Sequence, residues 1–300
     1  AVVGVQEFAS RLQAGLVPNY ARWAQLVSGS EVPPDERQDV DGALEEVTNY
    51  VFEILQNSNF SQEIHESFLD LAVGTGCLQI SEGDALNPVM FTAVPLTQLT
   101  LDVGPDDKID HIFRERQLRI SNIKVAYPKA ALPASMAQAL ADGKDEYVKL
   151  VDCTYRVYGS PEEEHRRVVF DPKEKHIFFR ETYKGVGSCP FVAFRWAKAA
   201  GEVYGRGPLM NAMPAVKTCN LTVQLILENA QMAISGVYTL EDDGVINPDT
   251  IQLLPGTIVP VAPGSNGLKA IGAAGNFDVA QLVLSEMRMN IRKALYNDML

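Results

Sequence analysis

The stretch Gly201-Glu-Val-Tyr-Gly-Arg-Gly-Pro208 stands directly before the longest helical pattern of the chain. Apolar residues recur at helical spacing from Pro208 to Ile234. Proline is favoured at a helix start because an N–H in the first turn has no partner inside the helix, so its loss costs nothing there. Pro214 is expected to bend the first turn or to mark the true start. At about 1.5 Å per residue, the helix is predicted to be roughly 40 Å long.

A second long helix is predicted from Asp278 to the end of the chain. Between the two helices, residues 235–276 are rich in glycine and proline and contain the strand-like VYTL and TIVPV, with turn signals DDG, NPD and PGSNG. Such a hairpin cannot bury all of its apolar surface by itself, so we expect it to pack against something outside its own chain. The chain starts without Met, and its final IRKALYNDML holds no Gly or Pro stop signal, so we also expect a truncated product.

The amino-terminal part shows three helical patterns. The first has apolar residues at spacings of three and four before Pro18, which cannot continue a helix. The second follows Asp39 as its N-cap, and the third runs from Ser61 to Gly74. The apolar positions of the three patterns are Val5, Phe8, Leu12 and Leu16; Val40, Leu44, Val47, Val51 and Ile54; and Ile64, Phe68 and Leu71.

After Gly76 the pattern becomes that of β-strands. Residues 151–157 alternate strictly between apolar and polar, as a half-buried strand requires. GSPEEE and DPKEK supply hairpin turns, and the alanine-rich stretch 121–143 predicts a short helix that ends at Gly143. An antiparallel meander packed against the amino-terminal helices makes the predicted fold α+β. The expected strands are 77–81, 90–94, 109–120, 148–158, 165–170, 175–182 and 191–196.

The composition is that of a folded protein that does not grip DNA. The chain of 300 residues is 46% hydrophobic and 21% charged, which is enough apolar material for a core. No run reaches the roughly 18 apolar residues of a membrane span, and the start lacks a basic signal-peptide region. With 38 Asp and Glu against 26 Lys and Arg, the net charge is −12. Tight DNA binding needs basic residues that neutralise phosphates, so this chain suits a conduit better than a clamp.

Several local motifs resemble, in the same order, those of one viral family. They are Phe8-Ala-Ser-Arg-Leu-Gln-Ala-Gly-Leu-Val-Pro18 with Trp23, Asn57-Ser-Asn-Phe60, Gly74-Thr-Gly-Cys-Leu78, Pro190-Phe191 with Arg195-Trp196, and Gly201 to Pro208. No single motif is specific; the likeness rests on their order and spacing, and it spans nearly the whole chain. The sequence resembles the podovirus-type head-to-tail connector, or portal, proteins of short-tailed bacteriophages.

The resemblance implies a portal-type α+β subunit in a ring of about twelve copies at one capsid vertex. Residues 1–200 would form a wing of helices and antiparallel strands, 201–234 a hinge and first stem helix, 235–276 a small β-containing clip, and 277–300 a second stem helix. Family members continue past that helix into a tunnel loop and a crown or barrel, which this sequence does not reach. The ring would assemble in the host cytoplasm and serve DNA packaging and ejection in the virion.

The implied partners are a terminase motor, a tail adaptor, capsid and scaffolding proteins, and double-stranded DNA that passes through with weak, non-specific contacts; no membrane is involved. In the resembling proteins the clip docks the motor and later the tail adaptor. Glu241, Asp242 and Asp243 lie in the clip, and a charged docking edge is favoured there over solvated turn or metal-binding carboxylates. The hinge between wing and stem is expected at Tyr204, Gly205, Arg206, Gly207 and Pro208.

The second stem helix carries a basic side. Arg288, Arg292 and Lys293 lie close together along it. One interpretation is a solvated helix face. The other is a set of positive charges that faces the channel and touches DNA phosphates weakly. The opposite, apolar side is formed by Leu284, Met287, Ile291 and Leu295.

No motif predicts a catalytic residue, a cofactor or a metal. GxxxxGK[ST] and GxGxxG are missing, and Gly74-Thr75-Gly76 is better explained as the end of a helix than as a phosphate loop. The four cysteines and four histidines lack metal-ligand spacing, and the acidic runs lie beside turn residues. We expect the cysteines to be reduced and partly buried. Two alternatives stay open: a neck or adaptor ring protein, and a nuclease or ATPase of the packaging machinery.

Overall fold

The computed structural model describes residues 2–235, 237–239, 269–271 and 277–298. The chain divides into two compact units, Ala1–Asn211 with Ala294–Leu300, and Ala212–Lys293. Helices and antiparallel strands occur in both units, which confirms the predicted α+β class.

The helices of the first unit follow the predicted order. Within its described residues they are α1 (Val2–Leu16), α2 (Arg37–Asn57), α3 (Phe60–Leu71), α4 (Ile120–Ala126), α5 (Ala134–Ala141) and the start of α6 (Pro208–Ser235). The assignment of Asp39 as an N-cap is wrong, because α2 begins at Arg37 and Asp39 lies in its first turn. A carboxylate in the first turn is still stabilised by the helix dipole. The single helix expected in 121–143 is two helices, since Pro128 disfavours helical backbone at Tyr127, where the first helix ends, and the second begins only after Pro133. Gly143, with φ +74°, follows the second of them, as predicted.

The described strands of the first unit form two sheets, not the single meander that the sequence predicts. They are β1 (Thr75–Glu82), β2 (Val89–Ala93), β3 (Leu99–Val103), β4 (Ile109–Arg119), β5 (Tyr147–Val157), β6 (Glu164–Asp171), β7 (His176–Lys184) and β8 (Phe191–Arg195). A three-stranded sheet has the order β2-β1-β8, and a five-stranded meander has the order β3-β4-β5-β6-β7. β8 follows the meander in the sequence but pairs with β1, which precedes it. Local periodicity does not predict such a long-range pairing. β3 was not predicted.

Three apolar clusters hold the first unit together. One lies between α4, α5 and one face of the five-stranded sheet, which we call the inner face, and includes Ile123 and Leu150. A second joins the two sheets through Cys77 and Leu101. The third packs α1 and α3 against β1 and includes Phe68. The opposite face of the five-stranded sheet, called here the outer face, contributes no residue to these clusters.

The second unit contains both long helices that the sequence predicts. Within its described residues it comprises most of α6, a short antiparallel pair β9 (Val237–Thr239) and β10 (Lys269–Ile271), and α7 (Phe277–Ala294). Pro214 lies inside α6 and is not its start. β9 matches the predicted VYTL strand, whereas TIVPV lies outside the described residues. The helix expected over 277–300 ends at Ala294, and a turn follows in which Tyr296 has φ +56°.

Candidate functional site

The segment that precedes α6 is hydrogen-bonded to the turn between α3 and β1. The N–H groups of Gly205, Gly207 and Leu209 donate to acceptors within residues 72–75, each at 2.9 Å. The N–H of Arg206 donates to the carbonyl of residue 197 at 2.7 Å. The start of α6 is therefore held by three backbone–backbone bonds and by the bond from Gly205 to the Thr75 hydroxyl.

Glycines are required at this junction because two backbone segments touch there. A Cβ on Gly205 would overlap the carbonyl oxygen of Gly74, and a Cβ on Gly74 would overlap that of Gly205. A Cβ on Gly207 would overlap the carbonyl oxygen of Ala72. Gly74 also has φ +153°, where L side chains are strained. Any side chain at these positions must push the segments apart.

Tyr204 connects the junction to the five-stranded sheet. Its hydroxyl accepts the N–H of Leu101 at 3.0 Å and donates to the carbonyl of Leu99 at 3.3 Å. Both partners belong to the edge strand β3, whereas Thr75 belongs to the other sheet. The five residues expected as a hinge therefore form a junction between α6 and both sheets. The bending expected of them stays a prediction.

Arg206 and the Gly74 turn have plain structural explanations. The Arg206 guanidinium bonds both oxygens of Glu202 at the surface, at 2.6 and 2.9 Å, so it is a paired surface cation. The N–H of Gly74 donates to the carbonyl of Asp70 at 3.2 Å, as expected where a helix ends. Gly74 thus lies in the turn that ends α3, as predicted, whereas Thr75 and Gly76 belong to β1.

α6 exposes apolar side chains. Leu221, Leu225 and Leu227 are 57%, 55% and 64% exposed. Lys217 and Glu228 are the only charged residues in its 28 positions. A helix of this composition is typical of a buried environment, yet no described residue covers these leucines.

The basic residues of α7 do not all lie on one side of the helix. Arg288, Arg292 and Lys293 are exposed, and none of them forms an ion pair with a described residue. Leu284 is buried and Met287 half-buried on the apolar side. At about 100° per residue, the two arginines lie roughly 40° apart around the axis, whereas Lys293 lies about 140° from Arg288.

Two features of α7 depart from the predicted arrangement. Leu282 and Met289 are 68% and 48% exposed, an apolar strip beside the cations that the sequence analysis did not single out. Leu295, assigned to the apolar side of the helix, lies in the turn after it and is buried in the first unit. Glu241, Asp242 and Asp243 lie outside the described residues.

A buried ion pair lies on the inner face of the five-stranded sheet. Arg167 donates to Asp152 through two nitrogens, at 3.0 and 2.6 Å, and both residues are buried. Burial lowers the pKa of Arg167, but the hydrogen bonds and charge of Asp152 more than offset this, so the pKa is raised overall. The guanidinium also lies over the rings of Phe179 and Phe191. Sequence reasoning missed this pair, because Asp152 occupies a polar position expected to face water.

The pair reverses the expected orientation of β5. The polar residues Asp152 and Thr154 are buried, whereas the apolar residues Val151, Cys153 and Tyr155 are only half-buried and point to the outer face. The alternation is as predicted, but its covered side is the opposite one. An apolar strip is thus left on the outer face of the sheet.

No group of three His, Cys, Asp or Glu in the described part of the chain is placed to hold a metal ion. Cys77 is buried, the other three cysteines are half-buried, and all four are free thiols, as predicted. Burial raises the pKa of Cys77 to about 12, which makes it a poor nucleophile. Among the described helices, none has the length and apolar character to cross a membrane.

The described residues include a junction before α6 and two long helices with exposed apolar side chains. No metal-binding cluster is found among them. A family model described as the bacteriophage head to tail connecting protein matches residues 1–300. The chain belongs to that family. It is a head-to-tail connector and a component of the virion, as the sequence resemblance implied.

Solved structures supply a remote likeness. One chain from the virion of a native gene transfer agent particle has 12% sequence identity and a TM-score of 0.44, over 82% of the connector and 58% of that chain. The connector thus spans less than two thirds of the length of the chain it matches. No curated protein matches the connector.

Proposed function

We propose that the connector is the subunit of a closed ring, a portal of the short-tailed phage type, through which double-stranded DNA enters and leaves the capsid. The observation that carries the proposal is the open apolar surface of α6. Leu221, Leu225 and Leu227 are each more than half exposed on a helix with two charges. Burying one such leucine contributes about 1.5–3 kcal/mol. Neighbouring copies of the chain supply that cover.

The ring closes because the contact joins two different surfaces. α6 of one copy packs on the exposed strip of α7, with Leu282 and Met289, in the next copy. Contacts of this heterologous kind repeat from copy to copy until rotation closes them. Twelve copies of 32.9 kDa give a particle of about 395 kDa.

Arg288 and Arg292 on α7 face the DNA, and Lys293 lies at the edge of that surface beside the strip of Leu282 and Met289. Arg288, Arg292 and Lys293 are exposed without an ion-pair partner among the described residues. Cations of this kind touch phosphates and position the duplex without reading its sequence. Three such residues per acidic subunit guide DNA without holding it.

The remaining assignments concern the other partners. Glu241, Asp242 and Asp243 form a charged edge of the clip that docks the terminase motor during packaging and the tail adaptor afterwards. Residues 204–208 act as the hinge between the wing and the stem. The wing meets capsid and scaffolding proteins when the ring nucleates assembly in the host cytoplasm.

The test is the mass of the purified protein in solution. Light scattering at micromolar concentration is expected to find a particle of about 395 kDa. Replacing Leu221 and Leu225 together by Asn is expected to dissociate it, because the apolar cover is lost while the helix keeps its charges. Lys217→Gln with Glu228→Gln is the matched control on the same helix and leaves the ring intact. A wild-type monomer contradicts the proposal, as does a ring unaffected by the leucine changes.

We further propose that the connector has no enzymatic activity. Neither a phosphate loop nor a described metal-ligand cluster is present to carry out hydrolysis. The purified ring is expected neither to hydrolyse ATP nor to cut DNA. Turnover that disappears on replacing a single residue of this chain contradicts the conduit function.

A further inference from the structure

One side of α2 is apolar and left open by the described chain. Val47, Tyr50 and Val51 are 48%, 63% and 43% exposed, and Ile54 continues the strip one turn later. These positions follow the i, i+3, i+4, i+7 spacing of a face that packs against another element. The sequence predicts this strip as a core face, so its exposure calls for a partner.

The chain uses a different side of α2 for its own fold. Thr48 and Phe52 are the buried residues of the helix, about 100° around the axis from the open strip. Thr48 accepts the N–H of Leu26 at 3.1 Å, and the ring of Trp23 packs edge-on against Phe52 at 5.3 Å. An extended segment near residues 22–28 thus takes one side of α2 and leaves the adjoining apolar side free. We call Val47, Tyr50, Val51 and Ile54 the α2 strip.

The outer face of the five-stranded sheet is the second open apolar surface. α4 and α5 cover only the inner face. Phe113, Cys153 and Val168 sit side by side on three neighbouring strands, with Val151 beside Phe170 in the next row. All five are half-buried, and none belongs to an apolar cluster of the core. A helix layer covers the inner face of this sheet, and a second helix layer would complete the outer one.

Charge distinguishes the two surfaces. On α2, the carboxylates of Asp39, Glu46 and Glu53 flank the α2 strip, whereas Asp41 and Glu45 bond the segment near 22–28 on the other side of the helix. By strand register, the outer face carries Arg119, Lys149, Arg166, Arg180 and Lys184 against Asp102, Glu115 and Glu164. The outer face is therefore net positive in a chain of net charge −12. An acidic helix and a basic sheet face with apolar centres attract each other and set one orientation.

We propose that the α2 strip of one subunit docks on the outer face of the five-stranded sheet of the neighbouring subunit. The proposal rests on the ring proposed above and adds a second contact to it. Within one chain α2 packs on α3 and on the segment near 22–28, so the sheet that receives it belongs to another copy. The two surfaces differ, so the contact runs head to tail and repeats around a ring.

The α2 strip is too small to hold two subunits together by itself. A stable interface buries about 800 Å² on each partner, some 20–30 residues. A strip of four residues with its charged flanks is smaller than that. The contact between α2 and the sheet therefore supplements the association of α6 with α7 and orients neighbouring wings.

A native thiol makes the contact directly testable. Cys153 lies at the centre of the outer face and is half-buried. In the variant Val51→Cys, a short bismaleimide is expected to join the introduced thiol of one subunit to Cys153 of the next and to give a ladder of dimers, trimers and higher species in a denaturing gel. Thiols held in contact have an effective concentration on the order of millimolar. We expect at least about tenfold more product than from Glu45→Cys, which places a thiol on the other side of the helix.

Three further variants keep the test decisive. Adding Cys153→Ser to Val51→Cys is expected to abolish the ladder, which identifies the partner thiol. Burial raises the pKa of Cys153 to about 11 and slows its reaction, so Val51→Cys with Val168→Cys provides a second thiol pair one strand away. Arg180→Glu is expected to reduce crosslinking in Val51→Cys because it removes a cation from the receiving face.

The outcomes separate this inference from the ring itself. A particle near ring mass that gives no ladder from either thiol pair overturns the docking of α2 and leaves the ring in place. A ladder that stops at dimers overturns the head-to-tail arrangement. Wild-type protein that stays monomeric overturns both proposals. A ladder that requires Cys153, from protein of ring mass, supports both.

Discussion

A methyl group is enough to separate α6 from the turn that holds it. Gly74 and Gly205 touch through their carbonyl oxygens and Cα atoms, and Gly207 lies against Ala72 in the same way. Such a contact stabilises the fold through the hydrogen bonds it permits, and an unmade backbone bond in a buried site costs about 1–3 kcal/mol. The glycines therefore determine how the long helix is attached.

Gly205→Ala is expected to lower the free energy of unfolding by more than about 2 kcal/mol, because the added Cβ overlaps backbone that cannot move without breaking hydrogen bonds. Urea denaturation measures the change. Gly42→Ala is the control: Gly42 sits in α2 with open space around it, and alanine there is expected to raise stability by about 0.5–1 kcal/mol. Equal midpoints for Gly205→Ala and wild type contradict the contact argument.

The buried pair of Arg167 and Asp152 is another residue-scale constraint. Both side chains are almost inaccessible to solvent, so each depends on the other for compensation of its charge. Replacing such a pair by apolar residues is often neutral, whereas removing one partner leaves a buried charge. The pair fixes the orientation of β5 and β6 more than it adds to stability.

Asp152→Asn is expected to destabilise the protein by about 3–5 kcal/mol, since Arg167 stays charged and loses its counterion. The double change Asp152→Leu with Arg167→Met is expected to recover most of that loss. Thermal unfolding of the three proteins gives the comparison. Glu115→Gln, which breaks the exposed pair with Lys149, is the control and is expected to have little effect. A double variant no more stable than Asp152→Asn contradicts the argument.

At the scale of elements, periodicity predicts where helices and strands lie but not which side is covered. The alternation of residues 151–157 is visible in the sequence, yet the buried side is the polar one, because Arg167 on the next strand supplies a partner for Asp152. The strip on α2 likewise has the spacing of a core face and remains open. Which surface is buried depends on contacts between distant segments and between chains.

In the candidate site, too, the sequence predicts the elements but not the contacts between distant segments. The start of α6 at Pro208 and the exposure of Arg288 and Arg292 agree with the sequence analysis. The backbone contact between Gly74 and Gly205 was not predicted, since 130 residues separate the two partners of the Gly205–Thr75 bond beside it. A glycine signals conformational freedom in a sequence, but it does not reveal what approaches it.

Replacing Arg288, Arg292 and Lys293 together by Gln is expected to leave ring assembly intact and to impair DNA packaging or genome retention. Glutamine is a good helix former, so α7 keeps its helix and its apolar side. The measurements are sedimentation of the ring, then DNA-filled heads per infected cell, with Lys217→Gln on α6 as the control. Collapse of assembly means that these residues pair between subunits. Normal packaging and retention mean that they form a solvated face.

At the scale of the whole molecule, net charge determines how strongly the connector binds DNA. Each subunit carries −12, so the proposed ring of twelve is expected to repel a polyanion over most of its surface. The cations on α7 act within about 8–10 Å of themselves at physiological salt. A duplex that passes such a ring meets weak attraction at a few points inside general repulsion, the condition for sliding.

The assembled ring is therefore expected to bind linear duplex DNA no more tightly than non-specific proteins do, with a Kd of about 10⁻⁵ M or weaker at physiological salt. Each contacted phosphate contributes about −0.9 to the slope of log K against log salt, so a few transient contacts give a shallow slope. Fluorescence anisotropy across a salt series measures both quantities. The Gln triple variant serves as the comparison, because it removes the cations assigned to the channel without altering the acidic remainder. A nanomolar Kd with a steep slope that the triple variant abolishes means that α7 grips DNA, and transport through such a ring would have to break those contacts at each step.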